Sequence, residues 1–170
     1  MARWPTFLPE NDAGVLVEVT SRTIGAQALL VPAPDPRRFN EIVVGVMGRA
    51  LEVSPLELCA AVFLANHFHL LAIVHEQQDL SRFMHHLAGN LSKEVGRIRQ
   101  RTGPMWARRY DGIVVSDEPG AQWSRLKYLL SHSVKEGLCV SPLDWPGVHC
   151  AKALVHGEKL EGVWFNRSKE

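Results

Sequence analysis

The chain has 170 residues, of which 46% are hydrophobic and 22% charged, and its formal net charge is +1. This composition is that of one ordinary globular domain, and it excludes a chain that is disordered throughout. The small net charge leaves nucleic-acid binding open, because such a protein needs only one basic face.

Cysteine usage and apolar runs narrow the class further. The three cysteines, Cys59, Cys139 and Cys150, have no CxxC spacing and are odd in number, which indicates neither a disulfide framework nor a zinc ribbon. The longest apolar run, 58–65, is too short to span a bilayer, and the first residues lack the apolar core of a signal peptide. We therefore expect a soluble cytoplasmic protein with reduced cysteines and no membrane partner.

The N-terminal part predicts one strand and one helix. Residues 1–14 contain prolines and turn formers and are expected to be an irregular lead-in. Alternating valines predict a strand over 15–20, with Glu18 on the side opposite the valines. A proline-rich connector follows. Asp35 as a cap and Pro36 at the first helical position then predict an amphipathic helix of about four turns.

Two adjacent antiparallel strands are predicted next. The first covers 57–64, and a turn at 65–66 leads into a second apolar strand that ends near Val74. His67 and His69 are two positions apart, so they project from the same face of this strand, roughly 7 Å apart along it. They could converge on one cation. The alternative is a pair of half-buried histidines bonded to neighbouring carbonyls.

A second helix is predicted over 79–100, and its end is basic. The segment that follows alternates positive charge with flat rings, a pattern that attracts backbone phosphates and stacks exposed bases. The alternative is a solvated helix end followed by a core tryptophan. The candidate DNA contacts of this region are Lys93, Arg97, Arg99, Arg101, Trp106, Arg108, Arg109 and Tyr110.

A fourth strand is predicted over 109–115, and a third helix from residue 118 to Gly137, whose left-handed conformation would end it. Tyr128 and His132 are four positions apart and therefore share one face of this helix. Alternatively, Tyr128 is a core aromatic residue and His132 a surface residue that suits the dipole at the helix end. No element is assigned over 139–170.

Three segments in this order resemble a known family. An NHFH strand, the segment GPMWARRY and the helix KYLLSHSVKEGL resemble the single-tyrosine HUH transposases of the IS200-like group. The REP-associated tyrosine transposases are the closer branch, with an NHxH strand, a GxxWxxRY segment and a Y-I-H-x-N-P-V-R-A-G-L helix. The resemblance covers about 15–146, so the predicted catalytic domain is 15–146 and residues 147–170 form a tail.

The resemblance implies an α/β (α+β) fold: a mainly antiparallel sheet of four or five strands in ferredoxin-like order, flanked by helices. It implies that His67 and His69 bind a divalent metal, Mn²⁺ or Mg²⁺, and that Tyr128 is the nucleophile. His132 stands where this branch has asparagine as the third ligand. The expected reaction is cleavage and strand transfer of single-stranded DNA beside hairpins, through a 5′-phosphotyrosine. Lys127 joins the candidate DNA contacts.

The chain departs from the family pattern at His132-Ser133, where the branch has Asn-Pro. Three imidazoles should favour Mn²⁺, Co²⁺ or Zn²⁺ over Mg²⁺, which prefers oxygen ligands. Losing the proline should let the helix continue and could shift Tyr128. Two other functions stay open: a domesticated nucleic-acid-binding protein of the same fold that no longer cuts, and a metal-dependent hydrolase of small substrates that does not use Tyr128.

Further expectations concern neighbours and assembly. Tyr110 is interpreted as structural or DNA-facing, and Glu18 could approach the metal site from a neighbouring strand. The resemblance favours a monomer, with a homodimer as the alternative, and a nucleoid-associated location in the cytoplasm.

Overall fold

The computed structural model describes residues 13–54, 56–118 and 120–167, so most of the predicted lead-in lies outside the described residues. The described parts of the chain contain four strands, five α-helices and two short 3-10 helices. The strands are β1 (Val15–Arg22), β2 (Glu57–Phe63), β3 (His67–Val74) and β4 (Asp111–Val114). The helices are α1 (Pro36–Val53), α2 (Gln77–Ile98), α3 (Ala121–Leu130), α4 (His132–Lys135) and α5 (Ala151–His156).

The four strands form one sheet in the order β2-β3-β1-β4, and every neighbouring pair is antiparallel. Helix α1 connects β1 to β2, and α2 connects β3 to β4. This is the ferredoxin-like arrangement of an α+β domain, and the predicted fold class is confirmed. None of the helices within the described residues is both long enough and apolar enough to cross a membrane.

One face of the sheet is covered by α1 and α2, and most of the core lies there. The alternating valines of β1 and the aliphatic stripes of both helices are buried together in it. Helix α1 begins as predicted: Pro36 is its first residue, and the Asp35 side chain accepts a hydrogen bond from the Arg38 N–H at 3.1 Å. This dry layer stiffens the strands that carry the histidines.

The opposite face of the sheet carries a smaller core and leaves its remaining part open. Leu16, Leu71 and Val62 pack there with Leu129 of α3 and with Trp145. The Trp145 indole N–H donates to the Phe63 carbonyl at 2.7 Å. Because α3 and the Trp145 segment cover only part of this face, the strand ends that carry the histidines border a cleft.

The predicted third helix differs from the structure in two ways. It begins at Ala121 rather than at residue 118, and Ser131 divides it into α3 and α4. Main-chain hydrogen bonds still run through the junction, since the Ser131 N–H donates to Lys127 at 3.0 Å and its carbonyl accepts from Lys135 at 2.9 Å. Gly137 follows with φ +69°, so the predicted left-handed terminator is confirmed.

The C-terminal part, for which the sequence predicts no element, packs against the β2 edge of the sheet and against α1. Val148 accepts a hydrogen bond from the Phe63 N–H at 2.8 Å, which protects the outer edge of β2. Further on, the Val163 N–H donates to the Glu41 carbonyl of α1 at 2.9 Å. Gly45 permits this crossing, because a Cβ atom there would lie 2.1 Å from the Val163 oxygen.

Candidate active site

Three buried or nearly buried imidazoles meet on the open face of the sheet. His67 and His69 project from β3 on the same side, as their spacing predicts, and His132 is the first residue of α4. One ring nitrogen from each of the three lies within 4.8 Å of the others. The ring centroids are 4.4 Å apart for His69 and His132, and 5.1 and 5.3 Å for the other two pairs.

The strand histidines are held by hydrogen bonds from their Nδ1 atoms. His67 Nδ1 lies 2.6 Å from the Asn66 side-chain oxygen, and the Asn66 amide donates to the Ala26 carbonyl at 3.1 Å. His69 Nδ1 lies 2.8 Å from Glu18 Oε1. Since both acceptors are oxygens, each Nδ1 carries the proton and each Nε2 keeps its lone pair free.

A metal ion fits this arrangement. The buried His69 Nε2 has no hydrogen-bond partner in the described part of the chain, and an unsatisfied buried acceptor costs about 1–3 kcal/mol. Histidine ligands of metals usually donate their other N–H to a carboxylate or carbonyl, as His69 and His67 do here. His67, His69 and His132 would therefore hold the ion.

Glu18 connects β1, β3 and α3 at the floor of the site. Its side chain is buried, with Oε1 at His69 and Oε2 2.8 Å from an Arg125 guanidinium nitrogen. Burial by itself would raise the pKa of Glu18, but contacts with His69, Arg125 and His132 outweigh it and lower the pKa below its ordinary value. Glu18 is therefore ionised at neutral pH, and the structure brings it to the three-histidine cluster as its strand position allowed.

Burial also lowers the pKa of two of the three imidazoles, those of His67 and His132. It is the largest cause that lowers the pKa of His67 from 6.5 to about 3, followed by the neighbouring His69, His132 and Arg22. Burial and His69 lower the pKa of His132, against an opposing effect of Glu136. Both rings are neutral at neutral pH, which is the form that binds metals.

Tyr128 lies at the mouth of this cluster. Its ring centroid is 5.0 Å from that of His132, one helical turn further on, and 6.3 Å from that of His69. The ring is 38% exposed. The Lys135 ammonium is 4.6 Å from its centroid and the Arg125 guanidinium carbon 5.7 Å, so two cations flank the phenol. The structure thus brings Tyr128 to the three histidines.

The cluster opens into a cleft of about 690 Å³. Two of the predicted DNA contacts, Arg108 and Arg109, line it together with Arg22 and Lys135, which sequence reasoning did not single out. Its acidic lining residues are Asp111, which pairs with Arg108 at 2.6 Å, and Glu136. Helical spacing from His132 could have indicated Glu136. The strand alternation of Glu18, Thr20 and Arg22 could have indicated Arg22.

A second groove of about 410 Å³ adjoins the cleft and shares Arg108 and Arg109 with it. Two of the predicted DNA contacts, Trp106 and Tyr110, line this groove. Trp106 is anchored, because its indole N–H donates to the Ala88 carbonyl at 3.0 Å and its ring meets Phe68 edge-on at 5.4 Å.

The remaining predicted DNA contacts lie outside both grooves. Arg99 donates to the main-chain carbonyls of the 29–33 connector, at 3.2 Å to Leu29 and 2.8 Å to Ala33, and thereby fixes that connector. The Arg97 guanidinium pairs with the buried Glu94. The lining residues of the two grooves do not include Lys93, Arg97, Arg99, Arg101 or Lys127.

The sheet order and the helical connections define the class: this chain has the fold of the tyrosine transposases of the REP-associated branch. Among solved structures, it is similar to a REP-associated tyrosine transposase bound to a REP hairpin, with a TM-score of 0.68 and 16% identity. The match covers 97% of this chain and 93% of that chain. The predicted resemblance is confirmed at the level of the fold.

A second solved structure, a putative transposase from Deinococcus radiodurans R1, matches with a TM-score of 0.46 and 16% identity, over 75% of this chain and 95% of that chain. No protein-family model and no curated protein matches this chain.

Proposed function

We propose that this protein is a metal-dependent endonuclease and strand transferase of single-stranded DNA, with Tyr128 as its nucleophile. The observation that carries the proposal is the meeting of one exposed phenol and three imidazoles in a single cleft bordered by arginines. A hydrolase of small substrates would have no need of a phenol beside the metal ligands or of so large a basic cleft.

The proposed step is a transesterification. Tyr128 Oη forms a bond to the phosphorus, the bond from phosphorus to the 3′ oxygen breaks, and the phenolic proton ends on that oxygen through solvent exchange. The products are a 5′-phosphotyrosine and a free 3′ hydroxyl. The phosphate ester to Tyr128 replaces the one that was broken, so the DNA can later be rejoined to another 3′ end. A bound divalent ion would neutralise charge on a non-bridging oxygen and stabilise the departing 3′ oxygen.

The chain's own residues would supply the rest of the mechanism. Lys135 and Arg125 place positive charge beside the Tyr128 ring, where it would offset the negative charge of the reacting phosphate. Glu18 holds His69 in one orientation, and Asn66 does the same for His67. Arg108 and Arg109 would hold the phosphates on either side of the scissile bond.

A hairpin is the proposed feature of the substrate. The solved transposase that shares this fold was determined with a REP hairpin bound. Phosphate, metal and phenol must also align without a paired strand in between, so the scissile bond would lie in the single strand beside such a hairpin.

The sequence contains two tyrosines, and the test asks which of them is required for covalent attachment of DNA to the protein. A hairpin oligonucleotide labelled at its 3′ end is incubated with Mn²⁺ and the protein, and the products are separated on a denaturing gel. Wild-type protein and Tyr110→Phe should give a labelled protein adduct, and Tyr128→Phe should give none.

An adduct that persists in Tyr128→Phe and disappears in Tyr110→Phe would contradict the assignment of the nucleophile. A shifted complex on a native gel, without an adduct in any variant, would instead identify a nucleic-acid-binding protein that no longer cuts.

A further inference from the structure

The second groove, between α2 and residues 106–110, continues from the cleft but differs from it in charge. The two cavities share Arg108, Arg109 and Ser21, and Ser21 is only 6% exposed. Two carboxylates line the cleft, whereas none lines the groove among the residues that the structure describes. A DNA strand whose phosphates contact the shared arginines would therefore reach the groove without charge repulsion.

The lining of the groove combines apolar surface with hydroxyl groups. Met84, Ala88 and Gly89 contribute apolar surface from α2, and the rings of Trp106 and Tyr110 contribute it from the segment that precedes β4. The hydroxyl groups belong to Ser21, Ser81 and Ser92. A nucleobase has the same two parts, because its faces stack on aromatic rings and its edge forms hydrogen bonds.

The aromatic side chains of the groove are already fixed in position. The Trp106 indole N–H donates to the Ala88 carbonyl at 3.0 Å, which holds the ring against α2. Arg109 donates to the Tyr110 hydroxyl at 3.3 Å, and its guanidinium carbon lies 5.1 Å from the centre of that ring. Since these side chains are ordered before any ligand arrives, little conformational entropy would be lost on binding.

We propose that this groove binds one unpaired base of the DNA strand whose phosphates contact Arg108 and Arg109. The inference rests on the proposed function and adds a base-binding site to it. The volume of about 410 Å³ falls within the range of about 300–1,000 Å³ for sites that bind small organic molecules. The base would pack against Trp106 and Tyr110 and direct its polar edge to the serines.

The test removes one base at a time from the DNA. Hairpin oligonucleotides in which a single unpaired nucleotide is replaced by an abasic residue are titrated with protein, and binding is measured by fluorescence anisotropy with a chelator present to prevent cleavage. Because stacking of one base contributes about 1–3 kcal/mol, the abasic residue should weaken binding to the wild-type protein about tenfold at one position.

Two exposed helical glycines provide a variant and its matched control. A Cβ atom at Gly89 or at Gly48 would meet nothing within 4 Å, but Gly89 lines the groove and Gly48 lies on α1. Gly89→Leu should fill the groove, weaken binding of the intact oligonucleotide about tenfold and abolish the effect of the abasic residue. Gly48→Leu should behave as the wild-type protein. Circular dichroism checks that both variants are folded.

The fluorescence of 2-aminopurine at the sensitive position gives a second readout, since stacking quenches it. It should fall on binding to the wild-type protein and change less with Gly89→Leu. Equal affinity of the wild-type protein for every abasic oligonucleotide, or unchanged sensitivity in Gly89→Leu, would overturn the inference and leave the proposed nuclease intact. Failure of the wild-type protein to bind the intact oligonucleotide would overturn the proposed function itself.

Discussion

Glu18 shows how one residue can set the geometry of a whole site. It is one of the few buried carboxylates, at 1% exposure, and it contacts both His69 and the Arg125 guanidinium of α3. A buried carboxylate is costly unless it is paired and hydrogen-bonded, and here both oxygens have a charged or donating neighbour. Glu18 therefore fixes the orientation of His69 and ties α3, which carries Tyr128, to the sheet.

His67 makes the stability of the metal-free protein depend on pH. In the unfolded chain this imidazole takes up a proton near its ordinary value of 6.5, and in the folded protein its pKa is about 3. Between these values the unfolded state holds more protons, so the free energy of unfolding falls as the pH falls below about 6.5. Between these two pKa values, His67 changes the free energy of unfolding by up to about 1.4 kcal/mol per pH unit.

The measurement is chemical denaturation of wild-type protein and His67→Gln between about pH 6 and pH 4, with a chelator present. Glutamine cannot titrate, so the wild-type curve should be steeper and the two should converge towards low pH. Parallel curves over this range would contradict the burial of a neutral imidazole at this position.

At the scale of elements, periodicity predicted α1, β2, β3 and α2 to within a few residues. Each has a strong local pattern: alternation in the strands and an apolar stripe in the helices. β4 is shorter than predicted, at Asp111–Val114, and the third helix begins later and is divided at Ser131. No element was predicted for the C-terminal segment, where α5 is short and some main-chain partners, such as Phe63 for Val148, are distant in the chain.

Gly137 and Gly48 allow a glycine-to-alanine substitution to be compared at a left-handed residue and at a helical residue. Gly137 ends α4 with φ +69°, whereas Gly48 is exposed inside α1, and a Cβ atom at either position would meet nothing within 4 Å. Gly137→Ala should therefore lower the free energy of unfolding by about 1–2 kcal/mol through backbone strain alone. Gly48→Ala should raise it by about 0.5–1 kcal/mol.

Urea denaturation of the two variants and the wild-type protein measures both changes. Equal signs for the two substitutions would show that Gly137 does not require the left-handed conformation, and that the end of the segment carrying His132 and Glu136 is set by other contacts.

At the scale of the whole molecule, charge is distributed unevenly although its sum is only +1. Four cations line the cleft, Arg22, Arg108, Arg109 and Lys135, against two carboxylates. Binding of single-stranded DNA should therefore depend on local contacts with phosphates in the cleft, with little long-range attraction from the net charge.

The salt dependence of single-stranded DNA binding tests whether the cations of the cleft contact the phosphates. Arg109→Ala should weaken binding of a single-stranded oligonucleotide and make the slope of log K against log salt shallower by about 0.7, the contribution of one neutralised phosphate. Arg49→Ala, on α1 at the opposite face of the sheet, should leave the slope unchanged. Fluorescence anisotropy from about 50 to 200 mM salt gives both slopes.

The comparison with Arg49→Ala distinguishes a phosphate contact in the cleft from a general effect of net charge on DNA binding. Equal changes of slope in Arg109→Ala and Arg49→Ala would show that DNA does not lie in the cleft, since the two arginines would then contribute only through the net charge.

The sequence by itself determined which side chains share a face within each element. Alternation along β3 placed His67 beside His69, and helical spacing placed Tyr128 beside His132, because both periods are properties of the local backbone. It also predicted the sheet order, through the resemblance of three motifs to a family.

Only the tertiary structure decided that the two pairs meet. That meeting depends on the register of β1 against β3 and on how α3 packs over the sheet, both of which are set by burial summed over residues far apart in the chain. For the same reason no local pattern gave a firm assignment of Glu18 to His69. Their contact exists only once β1 and β3 are paired in the sheet.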